Sequence, residues 1–319
     1  MRRAHAQRGA ALLLAMLTVT LVATFAATAL WQQWRAVEVE QSERARSQSA
    51  WVLVGALDFS RFVLRLDGAN NVDRLDEPWA VALQESRMST FLGAENGVAQ
   101  AGDEGLPEVF LSGSIIDLQS RMNVANLVGS DGQLIGKQMA AFKRLFELLG
   151  LPEAEFMTMA ENLGRASQKQ VDGDADVPLL PQRFEQLAWL GLSPSTLRVL
   201  EPYVTVLPQA ATAINLYTAS AQVIAASIEG VDLASAQMLV QARNQKSWNT
   251  VQDFATFLDR VGLLPESEYA VRSSFFEING RLRMEGTVVS ERSLVKRGTG
   301  RNPPVTTIWR ERVAGDRQP

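Results

Sequence analysis

The sequence contains no cysteine, and its single histidine is His5, close to the N-terminus. Without cysteine the chain cannot form a disulfide, a thiolate nucleophile or a cysteine-ligated zinc site. Beyond His5 there is no imidazole to act as a general base or a metal ligand. These absences exclude serine–histidine hydrolases and zinc enzymes. Carboxylate pairs and serine–lysine pairs remain open, but no spacing favours one, so we predict that the protein is not an enzyme.

The chain also lacks an excess of positive charge. Its 319 residues carry a formal net charge of −4, so no overall positive field attracts nucleic acid. With 46% hydrophobic and 21% charged residues, the composition is typical of a folded protein and not of a disordered one. The length is sufficient for one large domain or two ordinary ones.

A long apolar segment lies near the N-terminus. The stretch Ala10–Trp31 is almost wholly apolar. As a helix it spans about 33 Å, which matches the hydrocarbon core of a membrane. Arg2, Arg3 and Arg8 precede it, and positive residues stay on the cytoplasmic side. The pattern predicts a single-pass membrane protein with a cytoplasmic N-terminus, whose residues after Arg35 face the periplasm or the outside.

A cleaved secretory signal is the alternative interpretation of this segment. Ala27–Ala29 forms an A-x-A cleavage site, and cleavage there would release a binding protein that begins at Leu30. However, the apolar run exceeds the usual core of a signal peptide, which is about 7–15 residues. Glycine is absent between Gly9 and Gly55, and proline is absent over the same stretch. The sequence therefore predicts one helix from about Ala10 to Leu66.

The second half of this predicted helix has an amphipathic pattern. Ala50, Leu53, Leu57 and Leu64 recur at helical spacing. We expect this face to pack on the core of a domain. A membrane helix that continues into a domain is a specific architecture.

This architecture, together with "QRG" directly before the apolar run, resembles the type IV pilin and pseudopilin family. The resemblance implies that a prepilin peptidase cleaves after Gly9 and methylates the new N-terminus at Ala10. The sequence departs from the family at two positions. Ala10 stands where phenylalanine is usual, and Leu14 stands where the fifth mature residue is usually glutamate.

The missing glutamate points to one class within this family. In the family's fibres, that carboxylate pairs with the charged N-terminus of a neighbouring subunit, because a lone charge in the apolar bundle is costly. A subunit with Leu14 does not need to dock beneath another subunit, and so suits the leading end of the fibre. The chain thus resembles the K-type minor pseudopilins of type II secretion. The stretch "GSIIDLQSRMNVANL" resembles that family's block after the first strand.

Three polar residues stand out in this block: Asp117, Asn123 and Asn126. Asp and Asn side chains commonly accept hydrogen bonds from nearby backbone amides in turns. We expect this turn chemistry, and not ligand binding, for all three.

The remainder of the chain divides by periodicity. From Gln133 to about Leu264 the period is helical, and the stripe through Phe142, Leu145 and Phe146 indicates a core. From Val271 the period is two.

Within the region of period two, Asn279-Gly280 predicts a hairpin turn, and "VTTIWRERV" predicts a further strand. The antiparallel sheet predicted near the C-terminus would have an apolar face, and the predicted N-terminal helix is the element that would cover it.

The predicted fold class is therefore α+β. It is a pseudopilin fold with a long N-terminal transmembrane helix, an antiparallel sheet and a large inserted all-helical domain that contains a helix-hairpin-helix-like unit. We expect a leader at 1–9, the transmembrane helix at 10–31, the pseudopilin helix and first strands at 32–132, the insertion at 133–265 and a β-meander at 266–319.

The helix-hairpin-helix-like unit raises an alternative function, a membrane-tethered DNA-binding protein of the competence-receptor type. The segment Ile214–Phe254 resembles that motif, which in DNA-binding versions has a glycine-rich hairpin that approaches phosphates. Here the hairpin is Glu229–Asp232, with one glycine between carboxylates, and only Arg243 and Lys246 offer positive charge. We therefore predict no nucleic-acid binding.

A possible metal site is the alternating set Asp172, Asp174 and Asp176. Calcium takes several oxygen ligands from one flexible loop, and this spacing supplies three carboxylates. K-type relatives can bind calcium near the insertion, but this chain is shorter there. Both a calcium site and a solvated acidic loop remain open.

The resemblance implies a function in assembly. The protein would join the I-type and J-type minor pseudopilins at the tip of the pseudopilus and nucleate its assembly. Its other expected partners are the remaining pseudopilins of the fibre, prepilin peptidase and the inner-membrane secretion platform. The fibre would then drive export of folded proteins across the outer membrane.

Overall fold

A computed structural model describes residues 8–87, 108–168, 177–284 and 287–313. The chain divides into two compact units, residues 1–54 and 55–319. The described part of the first unit belongs to helix α1, Arg8–Asp67, which continues into the second unit. The sequence predicted a helix to about Leu66. Threonine hydroxyls in the apolar stretch donate to carbonyls three or four residues earlier, as the Thr20 hydroxyl does to the carbonyls of Met16 and Leu17. These polar groups therefore have their hydrogen-bond partners within the helix.

The second unit contains, after α1, six described α-helices and nine described strands. The helices are α2 Gly136–Leu148, α3 Glu153–Ser167, α4 Pro194–Leu200, α5 Ala221–Ser227, α6 Leu233–Arg243 and α7 Val251–Phe257. The strands are β1 Leu83–Arg87, β2 Val109–Asp117, β3 Met122–Asn123, β4 Val204–Thr205, β5 Ile214–Asn215, β6 Tyr269–Ala270, β7 Phe275–Met284, β8 Thr287–Arg297 and β9 Val305–Val313.

The main sheet is antiparallel, with the order β1-β2-β7-β8-β9 in the described chain. One face of this sheet packs on the end of α1. Leu57 and Leu64 are buried there with Phe276 and Val295, as the helical spacing predicted. Trp79 meets Phe276 edge to face, with ring centroids 5.3 Å apart. We call this sheet together with residues 55–67 of α1 the sheet layer.

The predicted hairpin at Asn279-Gly280 is wrong. Both residues lie inside β7, and the reversal falls after Met284, which pairs with Thr287 in β8. Gly280 instead stands opposite Gly113 of β2. A Cβ atom on Gly113 would lie 2.7 Å from the carbonyl oxygen of Asn279, so this glycine serves the close approach of two strands. Asn-Gly favours a turn only where the flanking pairing permits one.

Between β2 and β7 the chain forms a second layer, which we call the helical block (residues 118–274). It buries the predicted stripe: Phe142, Leu145 and Phe146 of α2 are at most 1% exposed. Phe156 of α3 packs on this stripe, with its ring centroid 5.2 Å from that of Phe146. Helix α4 begins after the N-cap Ser193, whose hydroxyl accepts from the backbone of Thr196.

The helical block also contains two short parallel ladders that the sequence did not predict. Strand β3 pairs with β4, and β5 pairs with β6. Each ladder therefore closes one half of the block: the first half runs from β3 to β4, and the second from β5 to β6. A turn of 3₁₀-helix occupies Phe184–Leu190, where the sequence predicted an ordinary helix.

Candidate functional site: membrane helix and buried junction

The apolar part of α1 is the feature on which membrane attachment depends. The helix is long and apolar enough to cross a membrane, with a mean hydropathy of 2.3 in its most apolar 18-residue window. Its large apolar side chains are exposed, and Leu14 is 65% exposed. The predicted processing residues Gly9 and Ala10 lie in the first turn of α1. Cleavage between them stays a prediction.

A buried junction of polar side chains joins the sheet layer to the helical block. Asp117 ends β2, and its carboxylate accepts hydrogen bonds from side chains of the helical block. The donors to its Oδ2 are Thr218 Oγ1 at 2.5 Å, Ser273 Oγ at 2.7 Å and Asn215 Nδ2 at 3.1 Å. Burial raises the pKa of Asp117, against the effect of these hydrogen bonds. Asp117 therefore does more than the local turn chemistry expected of it.

Arg297 of β8 forms the ionic part of the same junction. Its guanidinium donates to Asp67 at the end of α1, with a distance of 2.9 Å from Nη1 to Oδ2. It also donates to Asp73, with 2.5 Å from Nη2 to Oδ2. Asp73 in turn accepts from the backbone of Ser273. Burial raises the pKa of Asp73 to about 7, although the pairing with Arg297 acts in the opposite direction.

Little in the sequence indicates this junction, because its members are far apart along the chain. Asn215 lies 98 residues after Asp117, and Ser273 lies 156 residues after it. Only a prediction of how the sheet layer packs against the helical block would have brought them together. The sole local signal was the aspartate at the end of a predicted strand.

Asn123 and Asn126, the other two polar residues predicted to make turns, fix a loop of the helical block. Asn123 accepts from the nearby backbone of Ala125, which is the turn chemistry predicted for it. It also accepts from the backbone of Leu207. The side chain of Asn126 donates to the carbonyl of Thr212 and accepts from its backbone amide. The two asparagines thus tie the loop 207–212 to the start of the block.

An acidic cluster in the described part of the chain does not match the predicted metal site. Asp67, Asp73 and Glu77 lie close enough together to share an ion. However, Arg297 already pairs with two of them, which leaves this group better suited to an ion pair than to a cation. The predicted ligands Asp172, Asp174 and Asp176 lie outside the described residues.

The helix-hairpin-helix-like unit consists of α5, the hairpin Glu229–Asp232 and α6. Arg243, one of the two cations that the sequence offers in this segment, is 5% exposed and donates to the carbonyls of Leu216 and Ala219. The hairpin carbonyl of Gly230 accepts from Arg260. Arg243 therefore holds the unit together from inside and is turned away from any phosphate.

Family models match the helical block in two places. Residues 120–209 match the first domain of "Type II secretion system (T2SS), protein K", and residues 214–270 match a second model with the same description. The two matches correspond to the two halves that the parallel ladders close. The second match contains the helix-hairpin-helix-like unit.

Relatives in three bacteria support the same assignment over most of the chain. The type II secretion system protein K of Pectobacterium carotovorum subsp. carotovorum is 27% identical over 91% of this chain and 92% of its own. That of Pseudomonas aeruginosa is 26% identical over 85% of this chain and 83% of its own. That of Dickeya chrysanthemi is 25% identical over 92% of this chain and 94% of its own.

A solved structure shows the same fold. It is a chain of the GspK–GspI–GspJ complex from the enterotoxigenic Escherichia coli type 2 secretion system, with a TM-score of 0.65. The match covers 86% of this chain and 99% of that chain at 17% identity. This likeness confirms the predicted α+β pseudopilin fold with its helical insertion.

An apolar N-terminal helix that continues onto an antiparallel sheet, with a helical block inserted between two of its strands, defines a membrane-anchored pseudopilin. The family models and the curated relatives both support the protein K family of type II secretion systems, which the sequence pattern predicted. The role of this chain is that of a minor pseudopilin in protein secretion, which is a structural component. The competence-receptor alternative is not favoured.

Proposed function

We propose that this chain forms the tip of the pseudopilus together with the I-type and J-type minor pseudopilins, and that it nucleates assembly of the fibre. The observation that carries the proposal is the exposed apolar helix without a carboxylate at Leu14. A fibre subunit with a neighbour above it needs a partner for that neighbour's charged N-terminus. A subunit at the leading end does not.

Two further observations support this proposal. The related solved structure is a complex of GspK with GspI and GspJ, so a protein of this fold assembles with those partners. In addition, the helical block is inserted between β2 and β7 of this chain, and a short parallel ladder closes each of its two halves. Such an insertion is bulky, and it suits a subunit that has no other subunit stacked beyond it.

The membrane topology belongs to the same proposal. The N-terminus would lie in the cytoplasm, α1 would cross the inner membrane once, and residues 55–319 would lie in the periplasm. Prepilin peptidase would cleave after Gly9 and methylate Ala10. The remaining pseudopilins and the inner-membrane secretion platform would be the other partners.

N-terminal mass analysis of the protein purified from membranes tests the processing step. N-methylated Ala10 as the first residue supports the proposal. A chain that begins at Leu30 would instead indicate a secreted protein, and an uncleaved leader would indicate a simple anchor. Either of these results contradicts the pseudopilin role.

A carboxylate placed in the membrane helix tests the tip position. Leu14→Glu should still be processed, but the variant should also appear inside the fibre, because it now offers the missing partner charge. Crosslinking between this chain and the major pseudopilin measures the change. Leu13→Glu is the matched control, since it adds the same charge at an exposed neighbouring position on a different side of the helix. Equal crosslinking and unchanged secretion in both variants would contradict the charge argument.

Calcium binding at Asp172, Asp174 and Asp176 is a separate proposal, and the donor set alone supports it. Calorimetric titration of the full chain with calcium should release heat that Asp174→Ala abolishes. Equal heats in the two proteins would favour a solvated acidic loop. The tip proposal does not depend on the outcome.

A further inference from the structure

A cavity of about 240 Å³ lies between the sheet layer and the helical block, on the face of the sheet opposite to α1. Strands β2, β7, β8 and β9 form its floor, and the segments around residues 183–185 and 201–206 form its other wall. Most of the side chains that face it are polar or charged. They include Arg121, Arg183, Glu277, Ser290, Arg292 and Trp309.

Several charged groups around this cavity are already paired with one another. Arg292 donates from Nη2 to Glu311 at 2.6 Å and to Glu185 at 2.7 Å. Arg183 also pairs with Glu311. Glu291 accepts from Arg310 of β9. These carboxylates and guanidinium groups therefore neutralise each other across the strands.

Arg121 is the exception within the described part of the chain. It follows the 3₁₀ turn Leu118–Ser120, and its side chain reaches the cavity wall. No described residue forms an ion pair or a hydrogen bond with its guanidinium. Burial lowers the pKa of Arg121, while Glu277 and Glu201 act in the opposite direction from a greater distance. Arg121 is half-buried, and a cation without a direct partner at the wall of a cavity is available to a ligand that supplies the opposite charge.

Two further donors on the cavity wall are unsatisfied. Trp309 Nε1 and Ser290 Oγ are buried, and no described residue accepts a hydrogen bond from the indole or pairs with the hydroxyl. The ring of Trp309 is fixed in place by Arg183, whose guanidinium carbon lies 4.5 Å from the ring centroid, and by Arg292 at 5.6 Å. Buried donors normally find an acceptor. Both of these donors line the same cavity as Arg121.

We propose that this cavity binds a single carboxylate group, which Arg121 holds as an ion pair and to which Trp309 donates a hydrogen bond. One unpaired cation matches one negative charge. The glutamates on the wall, such as Glu277, would repel a dianion such as phosphate. The carboxylate comes either from a free small acid or from an acidic side chain of a protein. This inference does not depend on the tip proposal.

The test uses the full chain in detergent micelles at constant ionic strength, with two carboxylate probes and their neutral amides. Propionate represents a free acid, and N-acetyl-aspartate amide represents an acidic side chain. Calorimetry should show saturable binding of at least one carboxylate probe and none of propionamide or N-acetyl-asparagine amide. Preference for the aspartate derivative would assign the site to a protein ligand, and preference for propionate would assign it to a free acid.

Three variants locate the binding site. Arg121→Gln should weaken the affinity at least about tenfold, because it removes the charge-assisted bond. Trp309→Phe should weaken it by a smaller factor. Lys143→Gln is the control, since Lys143 pairs with Glu153 and neither residue lines the cavity. Equal affinity in the wild type and Arg121→Gln would overturn the proposal. So would the absence of saturation up to roughly 10 mM, tenfold above a millimolar Kd.

The thermal stability of the unliganded protein shows whether Arg121 binds a ligand or stabilises the fold. If Arg121 serves to bind a ligand, Arg121→Gln should leave the thermal midpoint of the unliganded protein unchanged, since its guanidinium has no ion pair or hydrogen bond within the described chain to lose. The carboxylate probe should then raise the midpoint of the wild type but not that of the variant. A lowered midpoint of unliganded Arg121→Gln would mean that the guanidinium serves the fold, and would overturn the proposal.

Discussion

The helical block and the sheet layer bury different kinds of side chain. The block has a continuous apolar core, in which Phe142, Phe146 and Phe156 pack together. The sheet layer has a smaller apolar cluster around Phe276, and beside it the fully buried guanidinium of Arg297. Apolar packing tolerates exchange between side chains of similar volume, whereas a buried ion pair requires its own partners. The two layers should therefore respond differently to mutation and to pH.

Removal of the central cation of the sheet layer should have the largest effect. Arg297→Leu leaves the carboxylates of Asp67 and Asp73 buried without their partner. The free energy of unfolding should fall by about 4–5 kcal/mol, near the upper end for a broken buried ion pair. Chemical denaturation of the detergent-solubilised chain measures this. Arg87→Leu, which breaks an exposed pair with Glu108 at the edge of the same sheet, should change stability by less than about 1 kcal/mol. Similar losses in both variants would contradict the distinction.

A cavity in the helical block should have the next largest effect and should remain local. Phe156→Ala removes the ring that packs on Phe142 and Phe146, so stability should fall by about 3–4 kcal/mol. Limited proteolysis should cut first within residues 118–274 and leave the strands β7 to β9 protected. Simultaneous cleavage of both layers would show that they unfold as one cooperative unit.

The sheet layer should also be the source of pH dependence. Burial raises the pKa of Asp73 to about 7 from an unfolded value of 3.8, so the folded state binds the extra proton. Stability is then greatest below pH 4 for this group and decreases as the pH rises through its folded pKa. Between pH 5 and 7 the loss should be at most about 3 kcal/mol. Burial raises the pKa of Asp117 in the same direction.

Asp73→Asn provides the control for this pH dependence. The substitution removes the titrating group, so the slope of stability against pH between 5 and 7 should become shallower. The surface carboxylates Asp232 and Asp253 have lowered pKa values and titrate below this window, so they do not mask the effect. A slope that is unchanged in Asp73→Asn, or a wild-type stability that increases over the window, would contradict the assignment.

Loss of a helix cap should have the smallest effect. The Thr250 hydroxyl caps α7 by accepting from the backbone of Asp253, whose carboxylate accepts in return from the backbone of Thr250. Thr250→Ala should therefore lower stability by about 1 kcal/mol. Thr256→Ala is the matched control, because that exposed hydroxyl only bonds the carbonyl of Gln252. Equal changes in the two variants would mean that the cap makes no net contribution.

Periodicity predicted most of the architecture, because apolar residues show their spacing directly. It located α1 to within a residue or two of Asp67 and identified the buried stripe of α2. It failed at Asn279-Gly280, since a local turn preference cannot show that Gly280 will stand opposite Gly113. It also gave no indication of the junction, whose aspartates bind partners supplied by distant strands.

The helix-hairpin-helix-like unit is a second case in which the sequence could not show a tertiary contact. From the sequence, the carboxylates of the hairpin already make DNA binding less favourable. The sequence alone nevertheless counts Arg243 among the available cations, because burial of an arginine is invisible without tertiary structure. The carbonyls that hold Arg243 belong to Leu216 and Ala219, which lie before the first helix of the unit.

The two parallel ladders have a practical consequence for engineering. Because β3 lies beside β4 and β5 lies beside β6, the chain enters and leaves each half of the block at neighbouring points. A reporter sequence or epitope placed in a loop deep inside either half would leave those attachment points where they are.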